Sequence, residues 1–240
     1  MRTPREGGTG KRGDLPMAFQ AGGQRLVPRS VPDTLEAQAY LHDYATYLEA
    51  VPFPSVVLDH RWDVVLANTA FETLFGGVSP HPTALPWDNF LRFVLFHPDA
   101  SSVLADHESG WCLPMLACFS AAVERHGHDA GLQAIRREIA QDPIMEAAYR
   151  QGLPHWIRAV GEVAVELDGA VRSLHHPDVR RGDTACRVVV ETPTPLLDMG
   201  YRRLTLVLRE PRPMPARRGT RRSTTRRTAS HLSVVPAPRV

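Results

Sequence analysis

Few residues of this chain have the type and spacing to do chemistry. His126 and His128 flank Gly127, His175 and His176 are adjacent, and Cys112, Cys118 and Cys186 are the only cysteines. Histidines and cysteines together can hold zinc, but zinc sites use donors at short, fixed spacings, and these cysteines form no C-x-x-C pair. His126 and His128 lack a nearby Cys or Glu at ligand spacing and read as a solvated, Gly-rich loop. Cys112 and Cys118 fall on one apolar stretch, where a thiol is a small hydrophobe more often than a nucleophile. No G-x-S-x-G elbow, phosphate-binding P-loop or G-x-G-x-x-G turn occurs. The residues thus signal no catalytic group, no metal and no cofactor, and the chain reads as something other than an enzyme.

The arginines offer a different chemistry, the neutralisation of phosphates. The formal net charge of +2 conceals a segregation. Residues 1–31 hold six basic and two acidic side chains, residues 209–240 hold nine arginines and one glutamate, and the body between them holds 13 basic and 23 acidic side chains. In the C-terminal tail the pairs Arg217-Arg218, Arg221-Arg222 and Arg226-Arg227 alternate with small polar residues. Such pairs contact phosphates without reading bases and give salt-sensitive, sequence-independent nucleic-acid binding. No aromatic residue interleaves them, so stacking on single strands is not expected. Two other readings stand beside this one: a tail folded loosely onto the acidic body, and a solvated tail reflecting a GC-rich coding bias, since Lys11 is the only lysine.

The elements that must position these residues follow from composition and period. With 240 residues, 43% hydrophobic and 22% charged, the chain has the make-up of a soluble globular protein. No apolar run approaches the roughly 18 residues of a membrane span. Its N-terminus lacks the apolar stretch of a secretory signal, and the unpaired cysteines suit a reducing cytoplasm. Residues 1–31 and 211–240 are Gly/Pro/Arg-rich, without period, and read as disordered. Residues 32–210 are the folded domain.

Within that domain, Asp33 and Glu36 at capping spacing open a helix whose apolar side is Leu35, Leu41, Tyr44 and Leu48. Residues 55–59 and 62–67, separated by His60-Arg61, predict a hairpin, and Asn68 caps a short helix bearing Phe71, Leu74 and Phe75. Helices are expected over 87–96, 111–125, 132–140 and 144–151. After Pro154 the period becomes two, which predicts strands over 160–167, 170–175, 186–191 and 203–208. The class is α+β: an antiparallel sheet with helices packed on one face.

Pro54-Ser55-Val56-Val57-Leu58-Asp59-His60-Arg61-Trp62-Asp63-Val64-Val65-Leu66-Ala67-Asn68 resembles the opening of a PAS domain. There an apolar strand ends in Asp, a second strand follows, and an Asn opens a helix. Asn89-Phe90-Leu91-Arg92-Phe93-Val94-Leu95-Phe96-His97-Pro98 resembles the N-L-L-R-x-x-F-x-D-P signature of the MmyB-like ligand-binding domain. That domain is the PAS-like sensory half of a group of actinobacterial XRE-type transcription regulators. Trp111, the stretch from Asp142 to Tyr149, and His175-His176-Pro177 match further family features in the right order. His97 stands where the family usually has Asp. Family regulators carry a helix-turn-helix ahead of this domain, and the Gly/Pro/Arg-rich residues before the first helix do not suit one. The resemblance therefore implies a sensor acting on transcription through a partner DNA-binding protein or as a homodimer, the latter through the helix preceding the sheet.

The resemblance also implies a pocket between sheet and helices for an apolar small molecule such as a fatty acid. Candidate walls are Phe90, Phe93, Leu95, Trp111, Met115 and Phe119, although the same residues could simply fill a core. A carboxylate head would need a polar anchor, for which Arg92 offers a fork and His176 and Tyr149 are the next candidates.

Overall fold

The computed structural model describes residues 34–209. Both basic tails, with the arginine pairs from Arg217 to Arg227, lie outside the described residues. Helix α1 (Leu35–Glu49) is capped by Thr34, whose hydroxyl accepts the Ala37 N–H at 3.2 Å, one residue beyond the expected Asp33. Leu35 is 84% exposed and does not join the buried side, which is Leu41, Tyr44, Ala45 and Leu48.

Strands β1 (Ser55–Leu58) and β2 (Val64–Ala67) form the expected hairpin. Its turn is longer than His60-Arg61. The Asp59 carboxylate accepts the N–H groups of Arg61 and Asp63 at 2.8 and 2.9 Å, and Trp62 takes a left-handed φ of 63°. A side chain that organises the backbone two residues onward competes with strand pairing, so β2 starts at Val64 and not at Trp62. Helix α2 (Thr69–Phe75) opens at Asn68 as expected.

The helical middle follows. Helix α3 (Phe90–Phe96) starts three residues later than its apolar period suggests, because the Asn89 side chain accepts the Arg92 N–H at 2.8 Å and caps it. Then come α4 (Ala100–Val103), a π-helical turn (His107–Cys112), α5 (Leu113–Arg125), α6 (Ala130–Gln141) and α7 (Pro143–Ala147). A second π-helical turn (Ala148–Gly152), α8 (Leu153–Val160) and a 3-10 turn (Glu162–Val165) complete it.

The last two elements correct the strand expected over 160–167. Pro154 sits in the first turn of α8, where its missing N–H costs nothing and its fixed φ favours helix. Gly161, at φ 82°, ends that helix. Val163 and Val165 alternate as strand residues would, yet both are exposed, as is Val160.

The chain returns to the sheet with β3 (Val171–His175) and β4 (Asp183–Val189), adds a short α9 (Thr194–Asp198) that the pattern did not suggest, and closes with β5 (Arg202–Leu208). The order is β2-β1-β5-β4-β3, antiparallel throughout, so the first and last strands among the described residues pair side by side. There the hydroxyls of Ser55 and Thr205, opposite in register, lie 3.0 Å apart.

The α+β class and the antiparallel sheet expected from the sequence are observed, but the helices are not confined to one face: α1 and α9 pack on the other. The main core lies between the sheet and the helices from α2 to α8, with Val56, Leu58, Leu174, Cys186, Val188, Leu204 and Leu206 as its floor. The alternate residues Val57 and Val65 face the other way. They meet Leu41, Tyr44 and Leu48 of α1 and Leu196 of α9 in a smaller core on the far side.

Asp129 latches the helical layer to the hairpin. It caps α6 by accepting the N–H groups of Gly131 and Leu132 at 2.8 and 3.0 Å, and pairs with Arg61 at 2.8 Å and His60 at 3.1 Å. Burial opposes its ionisation, but the Leu132 amide, His60 and Arg61 outweigh it and hold the carboxyl well below the usual carboxylate range. A depressed folded pKa stabilises the fold above the unfolded value of about 3.9, and that stability is lost as pH falls below it. Asp129→Ala should cost about 1–2 kcal/mol at pH 7, mostly through the lost cap, and should make the fall of the melting temperature between pH 5 and 3 shallower than in wild type. Thermal melts across that range measure both.

Candidate functional site

Helix α5 packs within the layer that covers the sheet, and it carries most of the apolar candidates. Trp111, at the end of the first π-helical turn, is buried, and its indole N–H donates to the Ser173 carbonyl of β3 at 3.0 Å. Met115 and Phe119 follow at helical spacing and are buried too. The Phe119 ring lies 6.4 Å from Trp62 of the hairpin turn and 6.0 Å from Tyr149 of the second π-helical turn. Three rings from distant segments therefore meet on one side of α5. π-helical turns cost hydrogen-bond geometry and concentrate at functional sites. Here each of the two carries one of the aromatic candidates.

Phe90 and Phe93 occupy a different part of the same core. With Phe71 and Phe75 of α2 they form a cluster whose ring centroids lie 4.7–6.2 Å apart, and all four are fully buried. Leu95 is buried in the main core as well. Arg92 turns away from the rings toward α6. Its Nε and Nη2 donate to the two carboxylate oxygens of Glu138 at 2.8 and 2.7 Å, and this bidentate bond, more than any other influence, raises its pKa. The fork is filled by a carboxylate of the protein's own. His176 stands apart, in the β3–β4 turn, where its Nδ1 accepts the Asp178 N–H at 3.0 Å. Burial and then the Arg181 charge push its pKa down.

The layer over α5 is the least buried part of the helical side. In α8 only Leu153 is buried, and α7 and the second π-helical turn bury no residue. Met145, Tyr149, Trp156 and Ile157 lean half-buried against the core, while Ile144 and Val160 are exposed. Residues 143–165 are thus held by partial contacts alone along most of their length.

The thiols carry no nucleophile. Burial pushes the Cys112 thiol up to about 12, and those of Cys118 and Cys186 up to about 11, leaving all three protonated near neutral pH. His107 Nε2 lies 3.3 Å from the Cys112 sulfur, but it also lies 2.8 Å from the Val94 carbonyl, to which it donates, so it is not poised as a base. Among the described residues no three His, Cys, Asp or Glu side chains are grouped to hold a metal ion, and no helix is long and apolar enough to cross a membrane.

Sequence reasoning overlooked two residues. Trp62 read as a strand residue, and its contact with Phe119 comes only from the turn that Asp59 builds. Arg172 was not singled out, although a signal existed: it shares the apolar alternation of β3 with Leu174, an unusual place for a charge. It stands opposite Cys186 in register, and burial lowers its pKa.

No curated protein matches the chain significantly. Residues 43–206, more than half of it, match the family described as the MmyB-like transcription regulator ligand binding domain, and the match runs from within α1 to within β5. The helical cover, the α3 motif and all of the sheet but the end of β5 fall inside those bounds, and so this chain belongs to the MmyB-like transcription regulator ligand-binding domain family.

Proposed function

We propose that residues 32–210 form a ligand-sensing regulatory domain that holds an apolar, fatty-acid-like molecule between α5 and the sheet and acts without catalysis. The observation that carries this reading is the family membership of a chain whose cover, residues 143–165, is only half-packed over an aromatic side of α5. A guest with roughly 12 methylenes supplies on the order of 10 kcal/mol at about 0.8 kcal/mol each, before ordering losses. That is enough to displace partial contacts such as those of Tyr149, Trp156 and Ile157. Trp111 and Met115 are the walls, Met115 adapting to shape. A shifted cover changes the surface offered to a partner DNA-binding protein or a second copy, which links occupancy to transcription.

Titrating the full chain with dodecanoate while following tryptophan fluorescence tests this. Trp62, Trp111 and Trp156 all border the region, so a saturable change is expected at micromolar to low-millimolar ligand. A flat signal together with no heat of binding would sink the reading.

A second reading rests on the charge segregation. The arginine pairs from Arg217 to Arg227 act as a non-specific nucleic-acid contact beside the sensory function. Deleting residues 211–240 should then abolish retardation of duplex DNA at low salt, and an unchanged mobility shift rejects it.

A further inference from the structure

Helix α1 lies on the far side of the sheet and is fastened there at two places of unequal quality. At its C-terminal end the Asn68 amide donates to the carbonyls of Leu48 and Val51 at 3.3 and 2.9 Å, and the Glu49 carboxylate accepts the Thr69 N–H at 3.1 Å. Farther back, Leu41, Tyr44 and Ala45 join Leu48 in the smaller core, against Val57, Val65, Leu196 and Tyr201. The first turn adds little, since Leu35 is exposed.

The second fastening is a buried cation. Arg203 of β5 stands opposite Val57 in register, so it shares the far face, and it is only 8% exposed. Its Nη1 donates to the Tyr44 hydroxyl at 3.3 Å and its Nη2 to the Glu191 carboxylate at 3.4 Å, both beyond the usual range for such bonds. Its Nε is buried and finds no partner among the described residues. Burial opposes the charge, but the hydroxyls of Tyr44 and Tyr47 outweigh it and raise the pKa, so the guanidinium stays charged beside the helix. Glu191 gives little relief, because its side chain is 79% exposed and water screens the pair. Buried polar groups are nearly always paired, and a cation taken out of water and answered mainly by neutral hydroxyls costs more than its contacts return. That cost falls on the contact between α1 and β5.

We propose that α1 is a releasable strap: it pivots at the Asn68 clamp and leaves the sheet at the Tyr44–Arg203 contact, in an opening separate from unfolding of the main core. Opening returns the Arg203 guanidinium to water, which favours release. It also bares Val57, Val65 and Leu196, and that loss of apolar burial holds the strap closed in the resting molecule. Arg203 is thus a positioning residue that sets the balance between the two. The device stands on α1 and β5 alone and does not depend on what the main core binds.

Amide hydrogen exchange of the full chain, followed at several low urea concentrations, tests this, with a thermal melt of each variant to show that it folds. In the wild type the α1 amides are expected to be protected about 10-fold less or more weakly still than those of β1 and β5, through an opening that responds less to urea. Tyr44→Phe removes one partner of the cation and should lower α1 protection a further 3- to 10-fold or so, roughly the scale of one hydrogen bond, with the sheet unchanged. The double variant Tyr44→Phe/Arg203→Met replaces both partners by apolar side chains and should close the strap, raising α1 protection about 10-fold or more above wild type. Equal protection and equal urea response of α1 and the sheet in the wild type would overturn the strap, since α1 would then open only with the whole domain. So would a double variant that fails to fold or whose α1 exchanges as fast as the wild type's or faster, because the Tyr44–Arg203 contact would then be a net support and not a point of release.

Discussion

Asn68→Ala should lower the unfolding free energy of the domain by about 3–5 kcal/mol, because one buried amide serves five backbone groups. Asn68 is 1% exposed. Its Oδ1 accepts the N–H of Phe71, capping α2, at 3.0 Å and the N–H of Ser55, opening β1, at 2.9 Å. Its Nδ2 donates among the carbonyls of Leu48, Val51 and Phe53 at 3.3, 2.9 and 2.9 Å. The end of α1, the approach to β1 and the start of α2 are therefore tied at a single side chain. Alanine leaves buried donors and acceptors unmatched, each costing about 1–3 kcal/mol unless water reaches it. Aspartate caps an isolated helix as well as asparagine does, yet Asn68→Asp should be no rescue, since it turns a carboxylate oxygen on three carbonyls. Urea unfolding of the three proteins measures this. A loss below about 1 kcal/mol for alanine would reduce Asn68 to an ordinary cap.

Phe90→Ala should cost a further large amount, about 3–5 kcal/mol. The Phe90 ring is fully buried and lies 6.1 Å from Phe71, 6.1 Å from Phe75 and 6.2 Å from Phe93. Neighbours fixed on α2 and α3 cannot collapse into the space left behind, so the cavity cost adds to the lost transfer energy. Tyr149→Ala makes the contrast. Tyr149 is half-buried on the loosely held cover, and its removal should cost no more than about 1.5 kcal/mol while changing ligand affinity. Denaturation midpoints with and without dodecanoate separate the two roles. If Phe90→Ala left stability within about 1 kcal/mol of wild type, its side chain would belong with the ligand walls instead.

Much of the fold was written locally. The β1–β2 hairpin, the cap at Asn68 and the terminal strands are signalled by alternation and by side-chain spacing within a few residues, and such signals survive folding because they act within one element. Residues 160–167 misled for the same reason. Their alternating valines carry a strand period, but nothing local shows that they have no strand to pair with. Helix α9 and the far-side core depend on Leu196 meeting Leu48 and Val57, and no local pattern records that meeting.

The site divides along the same line. By itself the sequence determined which side chains are apolar enough to wall a ligand, and the α3 motif and the strand pattern marked the family, because burial tendency and period are properties of residue type and order. The tertiary structure alone decided which of those side chains fill the core beside α2 and which border the cover. It also matched each charge with its partner or left it without one. Arg92 finds Glu138 across 46 positions, whereas Arg172 is carried by β3 under α5 and finds none among the described residues. Coulomb and hydrogen-bond energies depend on distances in space, and those are fixed only when the sheet and its helical cover come together.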